Sequence, residues 1–353
     1  MTSRNPSIEI KVSSGRTLKT SPVFETYWRF AAMRQELFMR RVAGDRPPWT
    51  TDPVLANHRF TNAYRASDRV SQYLIKNVIY AGLSSVEEVF FRVMLFKFFN
   101  RIDTWERLET LAGPLEWRSF EIDRYSRVLD TMMSDGDRVY SAAYIMPSPG
   151  FGHARKHRNH LQLLAHMMAS GAPKKVAKSK SLAEVFQIIR SYQSLGDFLA
   201  FQFTIDTNYS EITDFSEMDF VVAGPGARDG IRKCFTDPAG LTEAEIIRVV
   251  AERADHEFSR LGIKFPNLWG RKLQLIDCQN LFCEVDKYAR VAHPEIQGTS
   301  GRTRIKQRFV PNCRCVPQWY PPKWGLKLPA ETGSARAKSN RKPIQSNLQF
   351  GTF

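Results

Sequence analysis

The run SLAEVFQIIRSYQSLGDFLAFQFTID, Ser181 to Asp206, decides the fold. Ser181, with Glu184 three residues on, is a capping-box signature that opens a helix over Leu182 to Ser191. Tyr192-Gln193-Ser194-Leu195-Gly196 makes a tight turn, and a second apolar helix, Phe198 to Ile205, ends at Asp206. Two helices about such a turn read as a helix-hairpin-helix, which offers backbone N–H groups and a helix N-terminus to a DNA phosphate. Small residues let the phosphate approach the backbone closely. The usual pattern places two glycines around an apolar residue; here Ser194 takes the first place, before Leu195 and Gly196. An ordinary pair of helices is the alternative, since any helical turn with a glycine has this shape.

Outward from this hairpin, helix signals recur to both ends of the chain. Ser21-Pro22 and Asp52-Pro53 each pair an N-cap with a proline at the first helical position. Ser84 and Ser85 precede Glu87 and Glu88 as a doubled capping box, and Thr242 with Glu245 opens a helix ending near Gly262. A further helix runs from about Gly270 toward Pro294. One short strand is expected, over Arg138 to Ile145. The predicted class is all-α: a multi-helix fold built around a helix-hairpin-helix, with at most a short strand or hairpin. Residues 1–20 read as a flexible N-terminus and 21–330 as a single helical domain, with a lobe boundary near 170–182. Residues 331–353, rich in Ser, Asn, Lys and Arg, read as a disordered basic tail.

The 353 residues are ordinary in hydrophobic and charged content, which excludes disordered and collagen-like classes. Charge is less ordinary: 51 Lys and Arg against 36 acids give +15, pointing to a polyanionic partner. Eleven of the basic residues and one acid, Glu331, lie between Gly301 and Phe353; a second acid-free stretch, Phe151 to Lys180, holds seven more and four of the seven histidines. No secretory signal opens the chain and no apolar run is long enough to span a bilayer, so a cytoplasmic protein with no membrane partner is expected. Five cysteines (Cys234, Cys278, Cys283, Cys313 and Cys315) lack zinc-ribbon spacing and read as buried thiols. His153, His157 and His160 share helical spacing, but Arg155, Lys156 and Arg158 among them oppose a metal ion. They read as a phosphate-facing basic helix. No metal site and no cofactor are expected.

Beyond the hairpin, Ser216-Glu217-Met218-Asp219-Phe220 leads to Gly224-Pro225-Gly226-Ala227-Arg228-Asp229-Gly230 and Ile231-Arg232-Lys233. This order resembles the helix-hairpin-helix DNA glycosylase superfamily, which acts on a base flipped out of the duplex. The resemblance implies Asp219 as the catalytic carboxylate; a helix cap or surface acid is the alternative. Where the lyase-competent branch carries a Lys after the turn, Phe198 stands here, which opposes Schiff-base chemistry. Gly224 and Gly226, with Arg228 and Lys233, suit phosphate contact at a helix start. No Walker A pattern occurs, so a P-loop kinase is disfavoured.

In the helix from Leu275, Asp277, Asn280, Glu284 and Lys287 or Tyr288 make one polar stripe, either a structural network or a site lining. Glu284 and Lys287 are acid/base candidates; Asp277, Gln279, Asn280 and Tyr288 are base-pocket candidates. Finally, Arg302, Arg304 and Lys306 alternate with uncharged neighbours, so an extended segment would line them along a nucleic-acid backbone. Trp319, Tyr320 and Trp324 would stack on bases or pack on the core.

Several phrases together resemble one family: Pro48-Trp49-Thr50 with Asp52-Pro53; Arg59-Phe60-Thr61-Asn62 with Tyr64-Arg65 and Asp68-Arg69; Phe98-Phe99-Asn100 with Thr104-Trp105; Gly224-Pro225-Gly226; Asp277 through Tyr288; and Arg302 through Gln307. They are similar to the helical domain of phage-type 5-hydroxymethyldeoxyuridine DNA kinases. That family is grouped with DNA base hypermodification proteins, including the α-glutamyl/putrescinyl-thymine pyrophosphorylases, and with relatives of helix-hairpin-helix glycosylases. The resemblance implies DNA carrying modified thymine- or uracil-type bases as partner, and either excision of the base or displacement of pyrophosphate from its 5-methylene. Asp219 would serve the first; Glu284 as base, with Arg228 or Lys233 on the leaving phosphates, would serve the second. With the kinase half absent, a stand-alone helical protein is expected. The alternative is a non-catalytic DNA-binding module that positions a separately encoded DNA-base kinase or transferase.

Overall fold

The computed structural model describes residues 8–13, 15–312, 316 and 318–329. Cys313, Cys315 and the expected tail at 331–353 lie outside these residues. Among them the chain is all-α apart from one three-stranded antiparallel sheet. Strands β1 (Glu9–Lys11) and β2 (Thr17–Thr20) form a hairpin, and β3 (Phe235–Asp237) pairs with β2. Residues 9–13 and 15–20, expected as part of a flexible N-terminus, are instead held by packing: Ile10 and Leu18 are buried in the core and tie the hairpin down.

Helix α1 (Pro22–Val42) starts where Ser21 Oγ accepts the Val23 N–H, and α2 (Pro53–Asn57) where Asp52 accepts that of Leu55. A short α3 (Arg69–Tyr73) runs into a π-helical turn over Leu74–Ile79. There follow α4 (Val86–Phe99), α5 (Ile102–Ala112), α6 (Ile122–Ser134), α7 (Lys156–Ala169), α8 (Ala172–Ala177), α9 (Leu182–Arg190) and α10 (Asp197–Asn208). The last four are α11 (Pro225–Cys234), α12 (Glu243–Glu252), α13 (Ala254–Arg260) and α14 (Leu275–Ala292). Ser85, Ser181 and Thr242 cap their helices as expected, and Thr242 with Glu245 closes the full capping box. Glu88 differs: its carboxylate takes the N–H groups of Trp117 and Arg118 instead of turning back on its own helix. The helix expected to reach Gly262 is broken at Arg253 into α12 and α13.

Arg138 to Ile145 is not a strand. Its backbone is used by helices, with Val139 C=O accepting Thr104 Oγ1–H and Ser141 N–H donating to Phe99 C=O. Nor does the chain divide near 170–182, because α8 packs on both α7 and α9. The packing instead groups α4 with α7, α8 and α10, and α14 with α1, α11 and α12. No helix among the described residues is long and apolar enough to cross a membrane.

Helices α4 and α10 are buried on nearly every face, yet carry Arg92, Lys97, Gln202 and Asp206. Each such group needs a partner inside the protein. Arg92 finds the Val78 and Ile79 carbonyls at the end of the π turn. The other three build the centre of the molecule.

Candidate functional site

The loop from His58 to Asp68 is folded by side chains of other elements and joins the two helix groups. Thr61 N–H donates to Glu284 (2.9 Å), Asn62 N–H to Asp68 (2.8 Å) and Arg65 N–H to Asp277 (2.8 Å). It delivers the Arg65 guanidinium into the core, where two nitrogens meet both oxygens of Asp206 at 2.6 and 2.9 Å. Lys97 Nζ lies 2.8 Å from the same carboxylate and also donates to Asn100. Burial would raise the Asp206 carboxyl, but Arg65 and Lys97 outweigh it and hold it below the ordinary carboxylate range.

Arg65 Nε also donates to Gln202 Oε1 at 3.0 Å, and Tyr144 Oη donates to the same oxygen at 3.3 Å. One turn before Gln202 on α10 stands Phe198, its ring 5.8 Å from that of Tyr144. Against Phe198 lies Gly224, the residue before α11. A Cβ there would fall 2.7 Å from the ring and 3.5 Å from Gln279 Nε2. Helix α10, the Gly-Pro-Gly stretch and α14, distant in sequence, thus meet at Gly224.

The expected site residues divide into those left open and those already bound. Ser194 has φ +64°, the left-handed conformation that the first glycine of the hairpin pattern supplies; Leu195 is buried and Gly196 is exposed at the start of α10. Asp197 at that helix start pairs with Arg190 at 2.5 Å, placing a carboxylate where a phosphate was expected. Gly226 serves packing: a Cβ would overlap Cys283 Sγ, as one at Gly230 would overlap the Phe282 carbonyl, so α11 rides directly on α14. Arg228 is exposed, 4.0 Å from Glu243. Lys233 is not a phosphate contact but a buried cation, 2.9 Å from Asp286.

Asp219 is exposed, and its backbone carbonyl is held by Arg248; the neighbouring Glu217 is the buried acid, 3.0 Å from Arg271. Asp277 accepts from Gln274 N–H as well as Arg65 N–H, and burial, reinforced by Glu217, pushes its carboxyl up to about 7. Glu284 and Lys287 pair at 2.7 Å, and Tyr288 Oη donates to Asp52. These four are engaged in structure. Asn280 is half-buried, and Gln279 is buried with its Oε1 lacking a partner among the described residues.

The expected histidine-bearing phosphate face is absent for a physical reason. His157 and His160 point inward, His160 between Tyr140 Oη and the Pro147 carbonyl, where burial lowers its pKa to about 4 and keeps it neutral; His153 precedes α7. Cys234 and Cys278 are buried thiols. Trp319 and Tyr320 pack on Tyr80 and Trp269, and Trp324 on the Arg271 guanidinium.

By contrast, the end of the basic segment from Arg302, residues 307–309, pairs with residues 57–59: Arg59 N–H donates to Gln307 C=O and Phe309 N–H to Asn57 C=O. Ile305 is buried, while Arg302, Arg304, Lys306 and Arg308 are exposed. Sequence reasoning missed Arg65, Lys97, Gln202 and Asp206 as centres. The available signal was a single polar residue inside an apolar run, as Lys97 is in Val93 to Phe99.

A family model described as the helical domain of 5-hmdU DNA kinase matches residues 21–298. The 5-hmdU DNA kinase of Bacillus phage SP10 is 25% identical over 297 residues, which are 78% of this chain and 45% of that protein. The chain thus spans about half the length of this relative. No solved structure matches.

Proposed function

The chain belongs to the family of the 5-hmdU DNA kinase helical domain, and from that membership we propose that it binds DNA carrying 5-hydroxymethyluracil-type pyrimidines and takes part in modifying that base. The observation that carries DNA binding is the exposed row Arg302, Arg304, Lys306 and Arg308, seated by the buried Ile305. Alternate residues of an extended chain are about 6.6 Å apart on one side, so these cations form a line suited to a phosphate backbone. Arg228 is a further exposed cation, one turn into α11. Contact with the DNA phosphate backbone is assigned to these residues.

For chemistry on this chain, Asp219 is the favoured carboxylate, because Glu284 is occupied by Thr61 N–H and Lys287. Asp219 also lies on the segment that brings Gly224 to Phe198, and an ionised carboxylate there would stabilise positive charge developing at the sugar. This supports excision over transfer. The test is mass spectrometry of nucleosides and free bases after incubation with 5-hydroxymethyluracil DNA. Loss of a product in Asp219→Asn supports the enzyme; DNA binding with no product from the wild type leaves a module that positions a separate kinase or transferase.

A further inference from the structure

Two buried amides beside Phe198 each hold one polar atom without a partner among the described residues: Gln202 Nε2 and Gln279 Oε1. They are 1% and 2% exposed. The orientation of Gln202 is fixed, because Arg65 Nε–H and Tyr144 Oη–H both donate to its Oε1, leaving Nε2 as the free donor. Arg65 is itself locked by Asp206, which Lys97 also binds. Two buried cations thus share one carboxylate, and Arg65 holds a neutral amide in place. On the other helix, Gln279 Nε2 faces Gly224. Unpaired polar atoms inside a protein are costly, and two of opposite kind near the same ring call for a common cause.

We propose that Gln279 and Gln202 read the hydrogen-bonding edge of a uracil-type pyrimidine turned out of the DNA stack, an inference that rests on the proposed action on pyrimidines in DNA. The ring N3–H donates to Gln279 Oε1, and a ring carbonyl, O2 or O4, accepts from Gln202 Nε2. Phe198 and Tyr144 are both half-buried with ring centres 5.8 Å apart, and the base enters by displacing the Phe198 ring and packing on that of Tyr144, which keeps its bond to Gln202.

The test measures affinity of the full chain for duplexes with a single 5-hydroxymethyluracil, its N3-methyl derivative or 5-hydroxymethylcytosine. Wild type is expected to prefer the first by about tenfold or more, and Gln279→Leu and Gln202→Leu to lose that preference while keeping salt-dependent DNA binding. Gln279→Leu removes an unpaired polar atom at similar size and should fold, whereas Gln202→Leu also takes the acceptor from Arg65 Nε–H and Tyr144 Oη–H and should be less stable. Folded variants that keep the wild-type preference overturn the base-reading site and leave DNA binding standing: the amides are then structural, satisfied by water. Should a variant not fold, the N3-methyl duplex decides on the wild type: equal affinity for it and its parent also overturns the proposal. A wild type that binds none of the duplexes overturns the DNA reading, and this inference with it.

Discussion

Gly224 and Phe198 are in contact so close that no side chain fits between them: a Cβ on Gly224 would stand 2.7 Å from the ring. That contact joins the start of α11 to the first turn of α10, so the turn preceding one helix sets the position of an aromatic ring on another.

Gly224→Ala is therefore expected to overpack this contact and cost about 1–3 kcal/mol. Pairing it with Phe198→Ala should recover part of that loss, giving a non-additive cycle in urea denaturation. Additive effects would show that the ring moves aside freely.

The Arg65–Asp206–Lys97 cluster makes a second expectation. Asp206→Asn leaves two buried cations facing a neutral amide, and breaking a buried pair this way costs about 3–5 kcal/mol. The denaturation midpoint should fall accordingly. An unchanged midpoint would mean that water reaches the cluster.

The Asp277 carboxyl, raised by burial to about 7, holds its proton more tightly in the folded chain. Its contribution is full below the unfolded value near 4 and is lost as pH rises through the folded value, by up to ~1.4 kcal/mol per pH unit between them. Asp206 acts in the opposite sense, its contribution being lost as pH falls. Stability of wild type relative to Asp277→Asn should therefore decline from pH 5 to 7. Parallel pH profiles would show that Asp277 is ionised in the folded state throughout.

Arg302, Arg304 and Lys306 are exposed, whereas Lys233 is buried against Asp286. Neutralising the first three to Gln should leave folding intact and flatten the dependence of log affinity on log salt by about 0.9 for each phosphate that is no longer neutralised. Lys233→Gln should do the reverse, lowering stability without changing the slope. A slope unaltered by the triple substitution would remove this segment from the DNA interface.

Much of this arrangement was readable locally. The caps at Ser21, Asp52, Ser181 and Thr242 are short-range, and so is the alternation that exposes Arg304 and Lys306 while burying Ile305. Ser194 adopts a left-handed backbone conformation of the kind that favours glycine. What local reading missed depends on partners far along the chain. Lys233 and His160 look like surface polar residues until Asp286 and Tyr140 are brought to them. Arg65 and Asp206 lie 141 residues apart, and no periodicity links them. The polar stripe of α14 was visible, but not that Asp277 and Glu284 would be occupied by the backbone of the 58–68 loop.

The most direct measurement compares the affinity of the full chain for one duplex carrying a single 5-hydroxymethyluracil–adenine pair with that for the same duplex carrying a cytosine–guanine pair there, at one fixed salt concentration. The predicted result is salt-dependent binding to both, with the modified duplex held about tenfold tighter, a difference of ~1.4 kcal/mol. Equal affinity for the two, or binding to neither, would contradict it.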